Sequence, residues 1–350
     1  FWLKPMQPLW HQASRRLRRG PRTMEATHRR EQFDRDGFLH VRGFASREEC
    51  AALKTRMQEL IAAWDPMDQS LQVFRTDDNN EGVGKSDYFL DSADRIHFFT
   101  EAGAMEEDGS IKAAIPKARA LNKVGHALHS KDAVFQRYSH SDKVQRLVSE
   151  LGWQDPVLPQ SMYIFKQPQI GGEVTAHQDS TFLHTTPRET CLGLWLALDE
   201  ATLENGCLWA RRGSHVEPVR RVFMRNPVHF SGVDASAPQM IFENRDPSCE
   251  AFQWEGKMPP GSAPPSSQGL HDIGFEPVEC AVGDLVVIHG QVDHLSLANV
   301  SEKQRETYQL HLVEGPARDI TWSPTNWLQY PPGKAFPPLK TGALAAEEAA

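Results

Sequence analysis

The sequence predicts one mainly β domain with flanking helices, on three observations. Short apolar runs bounded by turn formers, Met162–Phe165, Leu192–Leu198 and Leu285–His289, have the length and composition of buried strands. Asn205-Gly206, flanked by apolar segments, is a strong short hairpin signal. The chain of 350 residues is 39% hydrophobic with 9 Trp and 17 Phe, which is ample for one large core.

Taken in order, residues 1–28 are set aside as a basic extension. The first 24 carry Lys4, Arg15, Arg16, Arg18, Arg19 and Arg22 and no acidic residue. That is the composition of an organelle transit peptide without a clear helical moment; alternatively Met24 is the initiator and residues 1–23 are no part of the native chain. The domain is expected over 29–338, opening with a helix around Arg29–Asp36 and a short strand Phe38–Val41. Ser46 followed by Glu49 is a capping-box pattern, and Ala51, Leu53, Met57, Leu60 and Ile61 at helical spacing predict a helix to about Trp64. Polar, turn-rich residues 65–85 and 101–120 read as loops, and Ala127–Val134 and Ser141–Leu151 as helices. The stretch 246–274, dense in Pro, Gly and Ser, reads as a lid or a disordered loop. The Ala/Glu-rich tail 339–350 is expected to fray.

The chain is organised around His177-Gln178-Asp179, between two of the predicted strands. On an extended segment, residues two apart project to one face. An imidazole and a carboxylate so placed suit a divalent metal, and a second His from a distant strand would complete the 2-His-1-carboxylate set that leaves positions open on Fe(II). Alone, the same spacing describes a solvated turn. Downstream, Gly283-Asp284 turns into Leu285–His289, followed by Gly290–Asp293 and His294, and Arg305 heads the run Thr307–Val313. His289 and His294 both compete for the distal position. The odd offset of five would separate them on a continuous strand, but the intervening turn formers blunt that distinction. A lone Arg305 reads ordinarily as a solvated charge, Trp195 as a core residue bordering a pocket, His215 as packing near the site, and His126 and His129 as residues on a helix.

The chain resembles the phytanoyl-CoA dioxygenase (PhyH) family of Fe(II)/2-oxoglutarate oxygenases. The likeness runs over roughly residues 30–330, through Phe33–Leu39, Ser86–Leu90, Asn122–His129, the H-x-D triplet, Thr321–Pro324 and Asn326-Trp327. It implies a double-stranded β-helix (jelly-roll, cupin-like) core, with His177, Asp179 and His294 as iron ligands and catalytic centre. It implies that Arg305, eleven residues after His294, receives the far carboxylate of 2-oxoglutarate, and the family spacing decides for His294 over His289. Lys123, Met162, Trp195 and Lys303 match positions that line the co-substrate pocket in a relative within the family. The implied reaction consumes O2 and 2-oxoglutarate, releases succinate and CO2, and hydroxylates an unidentified small-molecule or acyl-type substrate. Asp179 favours hydroxylation, because related halogenases replace this carboxylate with a small residue.

Two other classes stay open: a zinc-dependent hydrolase, which would need a general base and have no use for Arg305, and a non-catalytic metal-binding member of the fold. Net charge of −8 and a pI near 6.0 provide no basic field for nucleic acid. Five scattered Cys without C-x-x-C spacing argue for a reducing compartment. No apolar run reaches the ~20 residues of a membrane span, and Glu-Glu-Ala-Ala is no peroxisomal signal. A cytoplasmic monomer is expected, or an organellar protein if residues 1–24 are a transit peptide. One departure from relatives, Arg211-Arg212 in place of Ile-Pro before Gly213-Ser214-His215, reads either as a docking point for an anionic substrate or as a solvated edge.

Overall fold

The structure, a computed structural model, describes residues 24–66, 71–74, 87–245 and 267–339. Helix α1 (Met24–Asp36) begins ahead of the expected Arg29. Helix α2 (Arg47–Ala63) starts at the predicted cap: the Glu49 amide donates to Ser46 Oγ at 3.2 Å and the Ser46 amide to Glu49 Oε2 at 2.7 Å. These two bonds satisfy orphan donors of the first turn. Its face Cys50, Leu53, Met57 and Ile61 is buried.

Strands β1 (Phe38–Val41), β2 (Gln72–Phe74), β3 (Ile96–Glu101), β4 (Leu121–His126), β5 (Pro156–Lys166), β8 (Leu192–Ala197), β13 (Leu285–His289) and β15 (Arg305–Glu314) form an eight-stranded sheet in the order β1-β13-β8-β15-β5-β4-β3-β2. All its pairs are antiparallel except β2–β3. A four-stranded sheet, β12 (Phe275–Val278), β9 (Leu208–Arg211), β14 (His294–Ser296) and β6 (Val174–His177), lies against it, and β10 (Arg221–Arg225) with β11 (Met240–Asn244) and β7 (Thr185–Thr186) with β16 (Thr321–Trp322) form two further pairs. One core fills the space between the sheets, where Trp195, Val286 and Ile288 of the large sheet meet Trp209, Phe275 and Leu295 of the small one. The other joins the outer face of the large sheet, Tyr163, Phe165, Tyr308 and Leu310, to Leu53, Met57, Phe135 and Leu147 of the helices. Being covered on both faces explains why β8 is buried along its whole length and reads as a continuous apolar run.

Several expectations are corrected. Asn205-Gly206 does not close a hairpin, since β8 and β9 belong to different sheets. It turns the chain from one sheet to the other. The Thr202 amide donates to Asn205 Oδ1 at 2.7 Å, and Gly206, at φ +84°, leaves no room for a Cβ beside the Leu297 carbonyl and the Lys166 side chain. The helix expected over Ala127–Val134 is divided: β4 runs through His126, and helices Leu128–Lys131 and Ala133–Ser139 follow, the second capped by Asp132. Strand β2 lies inside the expected loop 65–85. The chain stays tied to β5 as far as Leu339, whose amide donates to the Pro156 carbonyl at 2.8 Å. The expectations for residues 1–23 and 340–350, and for 246–266 of the predicted lid, fall outside the described residues. Residues Ser267–Asp272 of that stretch form a helix. No helix among the described residues is long and apolar enough to cross a membrane.

Candidate metal centre and cavity

Strand alternation decides which side chains enter the space between the sheets. On β15, Arg305, Thr307, Gln309 and His311 share a face, and the antiparallel register sets them beside Lys166, Ile164, Met162 and Gln160 of β5. On β8, Trp195 pairs with Gln309 and Gly193 with His311. Most of these residues line a cavity of about 190 Å³ that also receives His177, Asp179 and His294.

His177, last on β6, lies directly opposite His294, first on β14. Asp179 follows in a short 3-10 turn, Asp179–Thr181. Asp179 Oδ1 is 3.5 Å from His177 Nε2 and 3.6 Å from His294 Nε2. One donor atom from each residue lies within 4.8 Å of the others, a spacing that fits a single ion. Both imidazoles are oriented from behind: His177 Nδ1 donates to the Thr175 carbonyl at 2.8 Å and His294 Nδ1 to the Val292 carbonyl at 3.0 Å. That assignment leaves an Nε2 lone pair on each ring directed at the same point, the tautomer that metal-ligating His requires. Burial and the neighbouring His177 push the His294 imidazole down to about 4. Burial opposes the charge of Asp179, but the imidazoles of His294 and His311 outweigh it and hold the carboxyl well below its ordinary range.

His311 was not singled out in the sequence. It is buried, with Nε2 3.3 Å from Asp179 Oδ2 and Nδ1 3.2 Å from Gln160 Nε2. A Cβ on Gly193 would come within 3.0 Å of the same Asp179 oxygen. The signal for His311 was its even spacing from Arg305 on one predicted strand, which puts both on one face.

Arg305 is 2% exposed, so the solvated-charge reading does not hold. Its guanidinium lies 5.4 Å from the Trp195 ring centroid, and Nε has no hydrogen-bond partner among the described residues. Burial pulls its pKa down to about 10. A buried guanidinium nitrogen left unsatisfied beside a cavity is costly unless an anion occupies it. Lys123 and Met162 also line the cavity, Lys123 Nζ standing 3.9 Å from Met162 Sδ, and burial pushes that ammonium well below its ordinary range. Lys303 does not join them; it is exposed on the turn that precedes β15, where its backbone amide donates to Ser301 Oγ and its carbonyl accepts from Asn299. Lys166, unremarked in the sequence, is buried and donates to the Gly172 and Leu297 carbonyls.

His289 points away from the cavity, its ring packed against Phe33 and His215. His215 accordingly packs behind the site, reaching the Asp34 carbonyl. His126 is buried at the end of β4 and His129 in the short helix Leu128–Lys131, so the two do not share a helix, and they hydrogen-bond Ser92 and Ser161. Arg211 and Arg212 do not form a free basic edge, because carboxylates hold both guanidinia: Asp293 and Glu217 for Arg211, Asp36 and Glu276 for Arg212. Another cluster, His40, Cys280 and Asp284, also has metal-like spacing. There the Asp284 oxygens already accept from His40 and from the Gly43 and Ala281 amides, clasping β1 to the turn before β13.

Mainly antiparallel sheets folded into a jelly roll are the architecture of the Fe(II)/2-oxoglutarate oxygenases. The structure is similar to that of the non-heme alpha ketoglutarate dependent epimerase SnoN, with a TM-score of 0.55 at 14% identity over 90% of this chain and 99% of that one. SnoN in complex with Fe3+, alpha ketoglutarate and nogalamycin RO gives 0.56 at 15% identity, over the same shares of the two chains. The model of the family Phytanoyl-CoA dioxygenase (PhyH) matches residues 33–307. Phytanoyl-CoA dioxygenase domain-containing protein 1 of Mus musculus is 43% identical over 309 residues, 88% of this chain and 96% of that protein. Phytanoyl-CoA dioxygenase of Arabidopsis thaliana is 38% identical over 297 residues, covering 85% and 91%. The chain belongs to the phytanoyl-CoA dioxygenase (PhyH) family.

Proposed function

We propose that the protein is an Fe(II)- and 2-oxoglutarate-dependent dioxygenase that hydroxylates a small-molecule or acyl-type substrate. The observation that carries this reading is one cavity holding both a His-Asp-His cluster with converging donors and the buried Arg305 guanidinium. A zinc hydrolase has no role for that cation.

His177 Nε2, Asp179 Oδ1 and His294 Nε2 would hold the iron. Arg305 would fork onto the far carboxylate of 2-oxoglutarate, with Trp195, Lys123 and Met162 around it. Bound iron with 2-oxoglutarate and O2 supplies the oxidation, yielding succinate, CO2 and a hydroxylated product. The protein's own part is orientation and exclusion of water. Phe182, whose ring stands 5.8 Å from that of His177, packs with Phe223 and Phe242 to form an aromatic wall suited to an apolar substrate body.

The test is anaerobic loading with Fe(II) and 2-oxoglutarate, followed by an oxygen pulse and a succinate assay with and without a metabolite extract. Fe(II)-dependent succinate that rises with the extract is expected. A protein that retains zinc and neither binds nor consumes 2-oxoglutarate would overturn the reading.

A further inference from the structure

Asp179 has two oxygens, and only one is turned to His177 and His294. Oδ1 faces His177 and His294, while Oδ2 faces into the large sheet towards His311 Nε2 at 3.3 Å. The His311 ring is held in turn by β5, where Gln160 Nε2 lies 3.2 Å from Nδ1. As the amide is oriented, its N–H donates to Nδ1, which leaves the ring proton on Nε2, directed at Asp179. The register makes this arrangement rigid: His311 is paired with Gln160 on one side and with Gly193 on the other. The absent side chain of Gly193 is what lets the Asp179 carboxylate lie over β8, since a Cβ there would meet Oδ2 at 3.0 Å and His311 at 3.7 Å. All three supports belong to the large sheet, whereas His177 and His294 come from the small one.

We infer that His311 is a positioning residue for the metal centre: backed by Gln160, it engages Asp179 Oδ2 so that the carboxylate offers a metal its other oxygen. The inference rests on the proposed metal-dependent reading and deepens it. It also gives the two sheets separate tasks. The small sheet presents the imidazoles, and the large sheet fixes the carboxylate between them.

The probe is Co(II), titrated anaerobically into the full chain and followed by its visible absorption, with the thermal midpoint of the metal-free protein recorded for every variant. His311→Leu removes the donor, and Co(II) affinity is expected to fall ten- to a hundred-fold, the range seen when a partner behind a metal ligand is lost, with an altered absorption spectrum. His311→Gln, which can still place an N–H near Oδ2, is expected to recover part of the affinity and the unmutated spectrum. Gln160→Leu should shift affinity in the same direction by less. If His311→Leu binds Co(II) as the unmutated protein does, or if His311→Gln loses as much as His311→Leu at an equal thermal midpoint, His311 is only packing and the inference fails. If the unmutated protein itself binds no Co(II), the metal-dependent reading fails first and takes this one with it.

Discussion

His177 and His294 stand directly opposite each other across the β6–β14 pair, with ring centroids 4.2 Å apart. Each ring is anchored through Nδ1 to a carbonyl two residues earlier in its own chain segment. The pairing of two short strands therefore sets the bite of the centre, and Asp179 enters it from the turn that ends β6.

That geometry separates the two distal candidates. His294→Ala, His177→Ala and Asp179→Ala are each expected to abolish Fe(II) and Co(II) binding, while His289→Ala, whose ring packs on Phe33 and His215, leaves it intact. Metal titration with circular dichroism on the same samples checks this. Stoichiometric tight binding by His294→Ala would refute the assignment.

Arg305 should matter to 2-oxoglutarate and not to metal. Removing a charge-assisted pair worth roughly 1.5–3 kcal/mol should weaken 2-oxoglutarate binding by roughly ten- to a hundred-fold in Arg305→Ala. Arg305→Lys should recover only part, because an ammonium lacks the planar fork. Lys303→Ala, altering an exposed side chain, should titrate like the unmutated protein. An anaerobic titration followed by the visible charge-transfer band distinguishes these outcomes, and identical curves for Arg305→Ala and the unmutated chain would return Arg305 to a packing role.

The adjacent arginines are expected to affect stability. Asp293 is fully buried and held by both Arg211 and Arg220. Arg211→Ala removes one of the two cations on this buried carboxylate and leaves Arg220, so it should cost on the order of 1–3 kcal/mol in urea unfolding. Arg212→Ala, whose guanidinium is more exposed, should cost less. A large change in the salt dependence of turnover with unchanged stability would instead favour a docking role.

Glu101 gives a pH signature. It is buried beside the cavity, and desolvation, opposed by the Asn122 hydrogen bond, holds its carboxyl up at about 7 against an ordinary 4.5. Between those values the folded state keeps a proton that the unfolded chain has lost, so this group makes stability fall as pH rises through that window and costs nothing below it. The rise from 4.5 to about 7 corresponds to about 3 kcal/mol at most. Glu101→Gln should therefore gain stability over the unmutated protein at pH 8 and little at pH 5. Equal differences at the two pH values would show that Glu101 ionises freely.

Local chemistry made much of the molecule legible. The Ser46 capping box, the apolar runs of β8 and β13 and the period-2 projection of His177 and Asp179 depend only on neighbours in the chain, and the structure has the cap, the strands and the pair where they were expected. The motifs of the PhyH family extended that reading to His294 and Arg305, which alternation alone could not select from fifteen His and the other charged residues. Tertiary structure decided the rest. Asn205-Gly206 has hairpin chemistry but joins two sheets, and Arg211-Arg212 looks like a free basic edge until Asp293, Glu217, Asp36 and Glu276 close around it. His311 acquires a role only when β15 pairs with β5 and β8 and brings it under Asp179, a residue more than a hundred positions away. Alternation along a strand tells which residues share a face, but the partner each face meets is set by the register of strands distant in sequence, and that register exists only once the two sheets have closed on their common core.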